Sequence, residues 1–263
     1  MSKFLAALLQ MSVQNDVSVN LQTAEEMVRS AAENHADIVV LPEMFCCLYT
    51  RKAFVANREP KGGRIYCALQ RMARENHVYL IGGSMPEEED GKIYNTCFIF
   101  DREGNQIGRH RKVHLFEINV KGGQYFKESD TFSPGDSYTV FDTEFGKMGV
   151  EICFDIRFQE LARITAQAGA RVIFFPAAFN MTTGPAHWEI LFRARALDNQ
   201  IFTCGCAPAR DEAGPYVSYG NSIMVSPWGE VIGQLTEKPG MLLHEIDLDL
   251  VDSVREQIPV VGH

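Results

Sequence analysis

Two stretches of this chain repeat one another. Ala36-Asp37-Ile38-Val39-Val40-Leu41-Pro42-Glu43-Met44-Phe45 and Ala170-Arg171-Val172-Ile173-Phe174-Phe175-Pro176-Ala177-Ala178-Phe179 each run from a polar residue through an unbroken apolar segment to proline and phenylalanine. A strand with no polar alternation is one that is covered on both faces. Proline ends it, because proline cannot donate to a sheet ladder. Further segments repeat in the same order: Asn76 to Gly82 with Asn199 to Gly205, and Tyr94 to Gly108 with Tyr219 to Gly233. Each of the last pair reads as a strand, a glycine-containing turn and a second strand. Lys3 to Met11 reads as another buried strand. Between strands, Asn20 to Asn34 places Leu21, Ala24, Val28 and Ala31 on one helical stripe. The pattern predicts an α/β fold of two pseudo-symmetric halves, with two sheets packed face to face and helices outside. No linker divides it, so residues 1–263 are read as one domain.

Composition narrows the function. The 263 residues are 46% hydrophobic and 22% charged, an ordinary globular balance. Acidic residues outnumber basic ones 34 to 25, for a net charge of −9, which disfavours a nucleic-acid or anionic-membrane partner. The opening Met1-Ser2-Lys3-Phe4 leads into no long apolar segment, and no apolar run approaches roughly 18 residues. A cytoplasmic protein that does not span a membrane is expected. The seven cysteines are odd in number and irregularly spaced, with neither a disulfide framework nor zinc-ligand spacing.

Three places could carry chemistry. Glu43 follows the first repeated strand where the second half has Ala177. Carboxyl ends of strands are where α/β sheets put functional groups, although an exposed strand-end acid would look the same. Cys153 ends the apolar strand Lys147 to Ile152 and enters a predicted helix at Asp155. A thiol at such an elbow has a helix N-terminus behind it, which favours the thiolate. The competing reading is a buried structural cysteine. Glu151 should face the other side of that strand by alternation, away from the thiol. The third place is Gly108-Arg109-His110-Arg111-Lys112-Val113-His114-Leu115-Phe116, a basic segment closing a strand. His110 and His114 are spaced as on a metal-binding helix, but the segment is not helical in character, and no metal site is expected.

Together these segments resemble the nitrilase, or carbon–nitrogen hydrolase, superfamily. The likeness rests on Glu43 in Leu41-Pro42-Glu43, Lys112 in Arg111-Lys112-Val113-His114-Leu115-Phe116, and Cys153 in Ile152-Cys153-Phe154-Asp155-Ile156-Arg157-Phe158. It extends over essentially the whole chain, including His187-Trp188 and Arg193 to Ala196. Phe179 to Glu189, Lys127-Glu128-Ser129 and Ser133 to Asp136 are similar to the omega-amidase branch in particular. Met44 and Cys46-Cys47-Leu48 depart from the more polar loop usual after the glutamate, a departure that bears on pocket shape.

The resemblance implies a four-layer α-β-β-α sandwich and an amidase that needs no metal or organic cofactor. It implies hydrolysis of the terminal amide of a small oxo-dicarboxylic mono-amide, of the 2-oxoglutaramate or 2-oxosuccinamate type, to acid and ammonia. Cys153 would be the nucleophile of a thioester, Glu43 its general base, Lys112 and the Phe154 N–H the oxyanion donors, and Glu128 a second carboxylate orienting Lys112. Arg157, with Tyr49 and Thr183 as hydroxyl partners, would bind the substrate carboxylate. A homodimer built on outer helices is also implied. The alternatives are an N-carbamoyl amino acid hydrolase, a deaminated-glutathione amidase or a non-catalytic scaffold. The segment from Phe116 to Glu128, with Gly122-Gly123 as hinge and Phe116, Tyr125 and Phe126 as apolar cover, is read as a loop forming a lid.

Overall fold

The first apolar run becomes a strand buried on both faces because its neighbours supply cover on both. A computed structural model describes residues 2–121 and 125–260. The first half contains β1 (Lys3–Gln10), α1 (Val17–Glu33), β2 (Ile38–Val40), α2 (Arg51–Ala56), α3 (Arg64–Asn76), β3 (Tyr79–Ile81), β4 (Met85–Glu89), β5 (Lys92–Phe100) and β6 (Gln106–Arg111). A short hairpin follows, β7 (Glu117–Asn119) with β8 (Tyr125–Lys127). The second half contains β9 (Thr139–Thr143), β10 (Gly146–Val150), α4 (Gln159–Gln167), β11 (Val172–Pro176), α5 (Gly184–Asn199), β12 (Phe202–Cys206), β13 (Ile223–Val225) and β14 (Val231–Gln234). The last elements are β15 (Gly240–Asp247) and α6 (Asp249–Gln257).

The halves share one strand pattern, to which the first sheet adds β4 beside β5. β1, β2 and β3 run parallel, and so do β10, β11 and β12. Each trio continues antiparallel into a hairpin, β5 with β6 in one sheet and β13 with β14 in the other. Each is flanked by an antiparallel strand, β15 beside β1 and β9 beside β10. The flank of the first sheet thus comes from the far end of the chain, with Lys3 opposite Asp247 and Gln10 opposite Gly240.

Alternation along β1 shows the layering. Phe4, Ala6 and Leu8 enter the core between the sheets, where Ile38, Val40, Val150, Val172, Phe174 and Met224 also lie. Ala7 and Leu9 face the other way, with Val39, under Leu21, Ala24, Val28 and Ala31 of α1 and Leu69 and Met72 of α3. Each of the larger side chains among these, the Phe, Leu, Ile, Val and Met residues, contributes about 1.5–3 kcal/mol of apolar transfer. On the second sheet Phe175 meets Phe192 of α5 edge-on, and Phe192 packs on Trp188. Helix, sheet, sheet and helix give the four-layer sandwich. The predicted α1 stripe is buried throughout, and Asp16 caps the helix by accepting from the Ser18 N–H at 2.7 Å.

Two expectations change. Within the Phe116–Glu128 segment β7 and β8 pair as an antiparallel hairpin with Ile118 opposite Phe126, both half-buried, whereas Tyr125 of the expected cover is exposed. The expected hinge, Gly122-Gly123, lies outside the described residues. The helix expected to begin at Asp155 is broken: Cys153–Arg157 form one 3-10 turn, Phe158 is extended, and α4 starts at Gln159.

Candidate active site

Glu43 follows Pro42 directly past β2 and is almost fully buried. The chain turns sharply there. Met44 takes a positive φ of 52°, and its N–H donates to Ser84 Oγ at 3.0 Å. Gly83, at φ 60°, lies against this turn so closely that a Cβ would sit 2.2 Å from the Pro42 carbonyl oxygen. Sheet order then delivers the partners. Asn95 comes from β5, Lys112 follows β6, and Glu128 follows β8.

Lys112 Nζ lies 2.8 Å from Glu43 Oε1 and 2.9 Å from Glu128 Oε2, with all three side chains excluded from solvent. Glu128 is saturated: Oε2 also accepts from the Phe116 N–H at 2.6 Å, and Oε1 from the Tyr49 hydroxyl at 2.6 Å and the Asn95 amide at 3.4 Å. Glu43 is not. Its Oε1 takes Lys112, the Asn95 amide at 2.9 Å and the Tyr49 hydroxyl at 3.3 Å, while its buried Oε2 accepts from no N–H or O–H donor among the described residues, and the carboxyl contacts the Cys153 thiol. Burial pushes the Glu43 carboxyl above the ordinary carboxylate range; Lys112 opposes this and Glu128 reinforces it. Burial alone would lower Lys112, but Glu128 and Glu43 outweigh it and hold the ammonium charged above the usual lysine range.

Cys153 sits just past β10, at the start of the 3-10 turn, in a left-handed conformation with φ 46°. A non-glycine residue rarely adopts that region, and strain of this kind concentrates at functional positions. The thiol does not behave as the elbow argument expects. It is buried, and burial followed by the neighbouring Glu43 charge pushes it well above its ordinary pKa, against Lys112 and the Ala178 backbone N–H. One five-residue turn cannot offset the loss of water, so the resting group is a thiol.

Two cavities meet at this centre. One is lined by Cys153, Phe154, Arg157, Thr183 and Phe116. The other is lined by Glu43, Tyr49, Met44, Cys47 and Leu48, so the loop that departs from the family pattern shapes this second space. Tyr216 and Ala178 line both, with the Tyr216 hydroxyl donating to the Ala178 carbonyl. Arg157 and Thr183 share the Cys153 cavity, whereas Tyr49 opens on the other and spends its hydroxyl on Glu128 and Glu43. Arg157 ends the 3-10 turn rather than opening α4, and it pairs with neither Asp155 nor Glu160. Its guanidinium lies over Phe154 and Phe179, one nitrogen is 3.2 Å from His187 Nδ1, and buried Nε has no partner. No carboxylate among the described residues forms an ion pair with it. Burial lowers its pKa.

Glu151 does face away from the centre, towards α4, where Thr165 Oγ1 donates to it at 3.1 Å. Burial, then nearby Asp155, pushes its carboxyl well above the ordinary range. Among the described residues no group of three or more His, Cys, Asp or Glu side chains could hold a metal ion, and no helix is long and apolar enough to cross a membrane. Sequence reasoning missed Asn95, Tyr216 and the Ala178 N–H. Asn95 carried the one available signal, a short polar residue just before the apolar run Thr96 to Phe100. The other two are defined only by what packs against them.

Comparison with known proteins gives the family. The carbon–nitrogen hydrolase family model matches residues 5–256. The omega-amidase NIT2 of Xenopus tropicalis is 48% identical over 260 residues, covering 99% of this chain and 94% of that protein. The crystal structure of Saccharomyces cerevisiae Nit3, from branch 10 of the nitrilase superfamily, superposes with a TM-score of 0.91 at 37% identity, covering 100% of this chain and 96% of that one. An amidase mutant from Nesterenkonia sp. AN1, in which acrylamide has added to the active-site cysteine, gives 0.80 at 25% identity over 97% of this chain and 98% of that one. This chain accordingly belongs to the carbon–nitrogen hydrolase, or nitrilase, superfamily, as an amidase similar to the omega-amidase branch.

Proposed function

We propose that the protein hydrolyses the terminal amide of a small oxo-dicarboxylic mono-amide, of the 2-oxoglutaramate or 2-oxosuccinamate type, through a thioester on Cys153. The observation that carries this reading is the asymmetry between the two carboxylates on Lys112: Glu128 is saturated, and Glu43 keeps one buried oxygen free of N–H and O–H donors among the described residues.

The roles follow from charge. A lysine held protonated between two acids cannot act as a base, but its ammonium can stabilise a developing oxyanion. Glu43, with a raised pKa and its carboxyl in contact with the Cys153 thiol, can take the thiol proton as Cys153 attacks the amide carbon. The oxyanion is received by Lys112 and the Phe154 N–H, each such donor being worth about 3 kcal/mol. Glu43 passes its proton to the leaving nitrogen and ammonia departs, leaving the thioester. It then takes a proton from water as the water adds, the C–S bond breaks, and the thiol regains the proton as the acid forms. Glu128 holds Lys112 in place. The Arg157 guanidinium, free of protein carboxylates in the cavity beside Cys153, receives the substrate carboxylate, with Thr183 beside it.

The test compares turnover of 2-oxoglutaramate with glutamine, an N-carbamoyl amino acid and a simple nitrile, for the wild type and Cys153→Ala. The proposal requires preference for the oxo-acid amide, a trapped thioester mass in the wild type, and no turnover by the variant. Near-native turnover by Cys153→Ala would overturn the mechanism. Preference for the N-carbamoyl compound would overturn the substrate assignment alone.

A further inference from the structure

That chemistry uses Glu43, Lys112, Glu128 and Cys153 and leaves a second buried polar cluster without a role. Asp155 lies two residues past Cys153 and is fully buried. Its Oδ2 accepts from the Ile152 N–H at 3.0 Å and faces His110 Nε2 at 3.0 Å. Its Oδ1 accepts from the His114 N–H at 2.8 Å and faces His114 Nδ1 at 2.9 Å. Burial alone would raise this carboxyl, but His110, His114 and the Ile152 N–H outweigh it and hold Asp155 ionised, below the usual carboxylate range.

The two histidines are the residues two before and two after Lys112. Each is fixed a second time. The other ring nitrogen of His110 lies 3.0 Å from Thr139 Oγ1 on β9, and the His114 ring stacks on Phe158 with centroids 3.6 Å apart. One carboxylate therefore joins the turn that carries the nucleophile to strand β6 on one side of the lysine, and to the segment entering the hairpin on the other. A carboxylate serving only its own turn would need the Ile152 N–H alone.

We infer that Asp155 is a positioning residue for this reaction: by gripping the chain on both sides of Lys112, it sets the ammonium against the Cys153 sulfur. The inference rests on the thioester reading above. It makes a specific demand on residue 155. Each Asp155 oxygen faces a backbone N–H, whose donor role is independent of histidine tautomer. An asparagine in either orientation would turn its NH₂ against one of them.

The test uses Asp155→Asn with the pair His110→Leu and His110→Gln, since a glutamine amide nitrogen can reach the place of Nε2 and restore the donor. Three quantities are read: kcat and KM for the oxo-acid amide, the rate of Cys153 alkylation by iodoacetamide, and near-UV circular dichroism as a check of fold. Asp155→Asn and His110→Leu should lower kcat about a hundredfold, the loss expected for a misplacement of about 1 Å, with KM changed by less than about threefold. Alkylation should slow in both, and His110→Gln should recover at least about tenfold of the kcat that His110→Leu loses. A folded Asp155→Asn with near-native kcat and alkylation overturns the inference. So does a His110→Gln no better than His110→Leu, and this pair decides the matter if Asp155→Asn does not fold. Failure of the thioester reading itself would show separately, as turnover by Cys153→Ala.

Discussion

Lys112 holds one oxygen of Glu43 at 2.8 Å and leaves the other buried with no N–H or O–H donor among the described residues. The ammonium thus orients the carboxylate without consuming its basicity. Glu128 does not share this freedom, because three other donors and Lys112 occupy it. Two acids on one lysine are in this way made unequal by their hydrogen bonds.

Glu43→Gln should keep the fold and lower kcat by about 10²–10⁴-fold, the usual contribution of a positioned base. In the wild type the base must be ionised, and its pKa is raised by burial. The acid limb of kcat/KM should therefore fall above the ordinary glutamate value of about 4.3, with activity lost as pH drops through it. A limb at the ordinary value would remove Glu43 from the base role.

Lys112→Met removes the only cation from between two buried carboxylates. The uncompensated charge should cost about 3–5 kcal/mol of stability at neutral pH, along with activity. Chemical denaturation measures it. A double variant, Lys112→Met with Glu128→Gln, should regain stability but not turnover.

Arg157→Lys should cost about 2 kcal/mol or more in kcat/KM for 2-oxoglutaramate, since an ammonium lacks the two-pronged fork that binds a carboxylate. An uncharged amide of similar length should lose far less. Equal losses on both substrates would make Arg157 structural, a support for Phe154 and Phe179.

Glu151→Gln addresses stability alone. The folded-state pKa of Glu151 is raised above its unfolded value, so its contribution is fully present below the unfolded pKa and is lost as pH rises through the folded one. Glutamine cannot ionise. The thermal midpoint of the variant should therefore gain on the wild type as pH rises above the ordinary glutamate value of about 4.3. Parallel midpoint curves would show that Glu151 has the same pKa in the folded and unfolded protein.

Phe126→Ala tests the hairpin as cover for the site. Phe126 packs on Tyr49 and Phe116, and the Phe116 N–H donates to Glu128. Loss of contacts worth roughly 1 kcal/mol should raise KM and lower kcat together. Unchanged steady-state kinetics would leave the hairpin as surface structure.

What the sequence determined was local or periodic. The unbroken run Ile38 to Leu41 required cover on two faces, its echo at Val172 to Phe175 required a second sheet, and the stripe on α1 fixed which side faced inward. Each signal is carried by residues within a turn or strand of one another, where 3.6- and 2-residue periods operate. Glu43, Lys112 and Cys153 stood out because strand ends and motif spacing are properties of the chain. Their mutual effects are not. The Glu43–Lys112 contact spans 69 positions and the Asp155–His110 contact 45, so both exist only once sheet order has brought those strands together. The state of Cys153 was decided the same way: a local turn favoured the thiolate, and burial beside Glu43, a sum over distant packing, reversed it. Tyr216 lines both cavities at the centre, a position that no local pattern encodes. Periodicity reports which face of an element is dry, whereas desolvation and charge coupling depend on which other elements make it so, and only the tertiary structure supplies those.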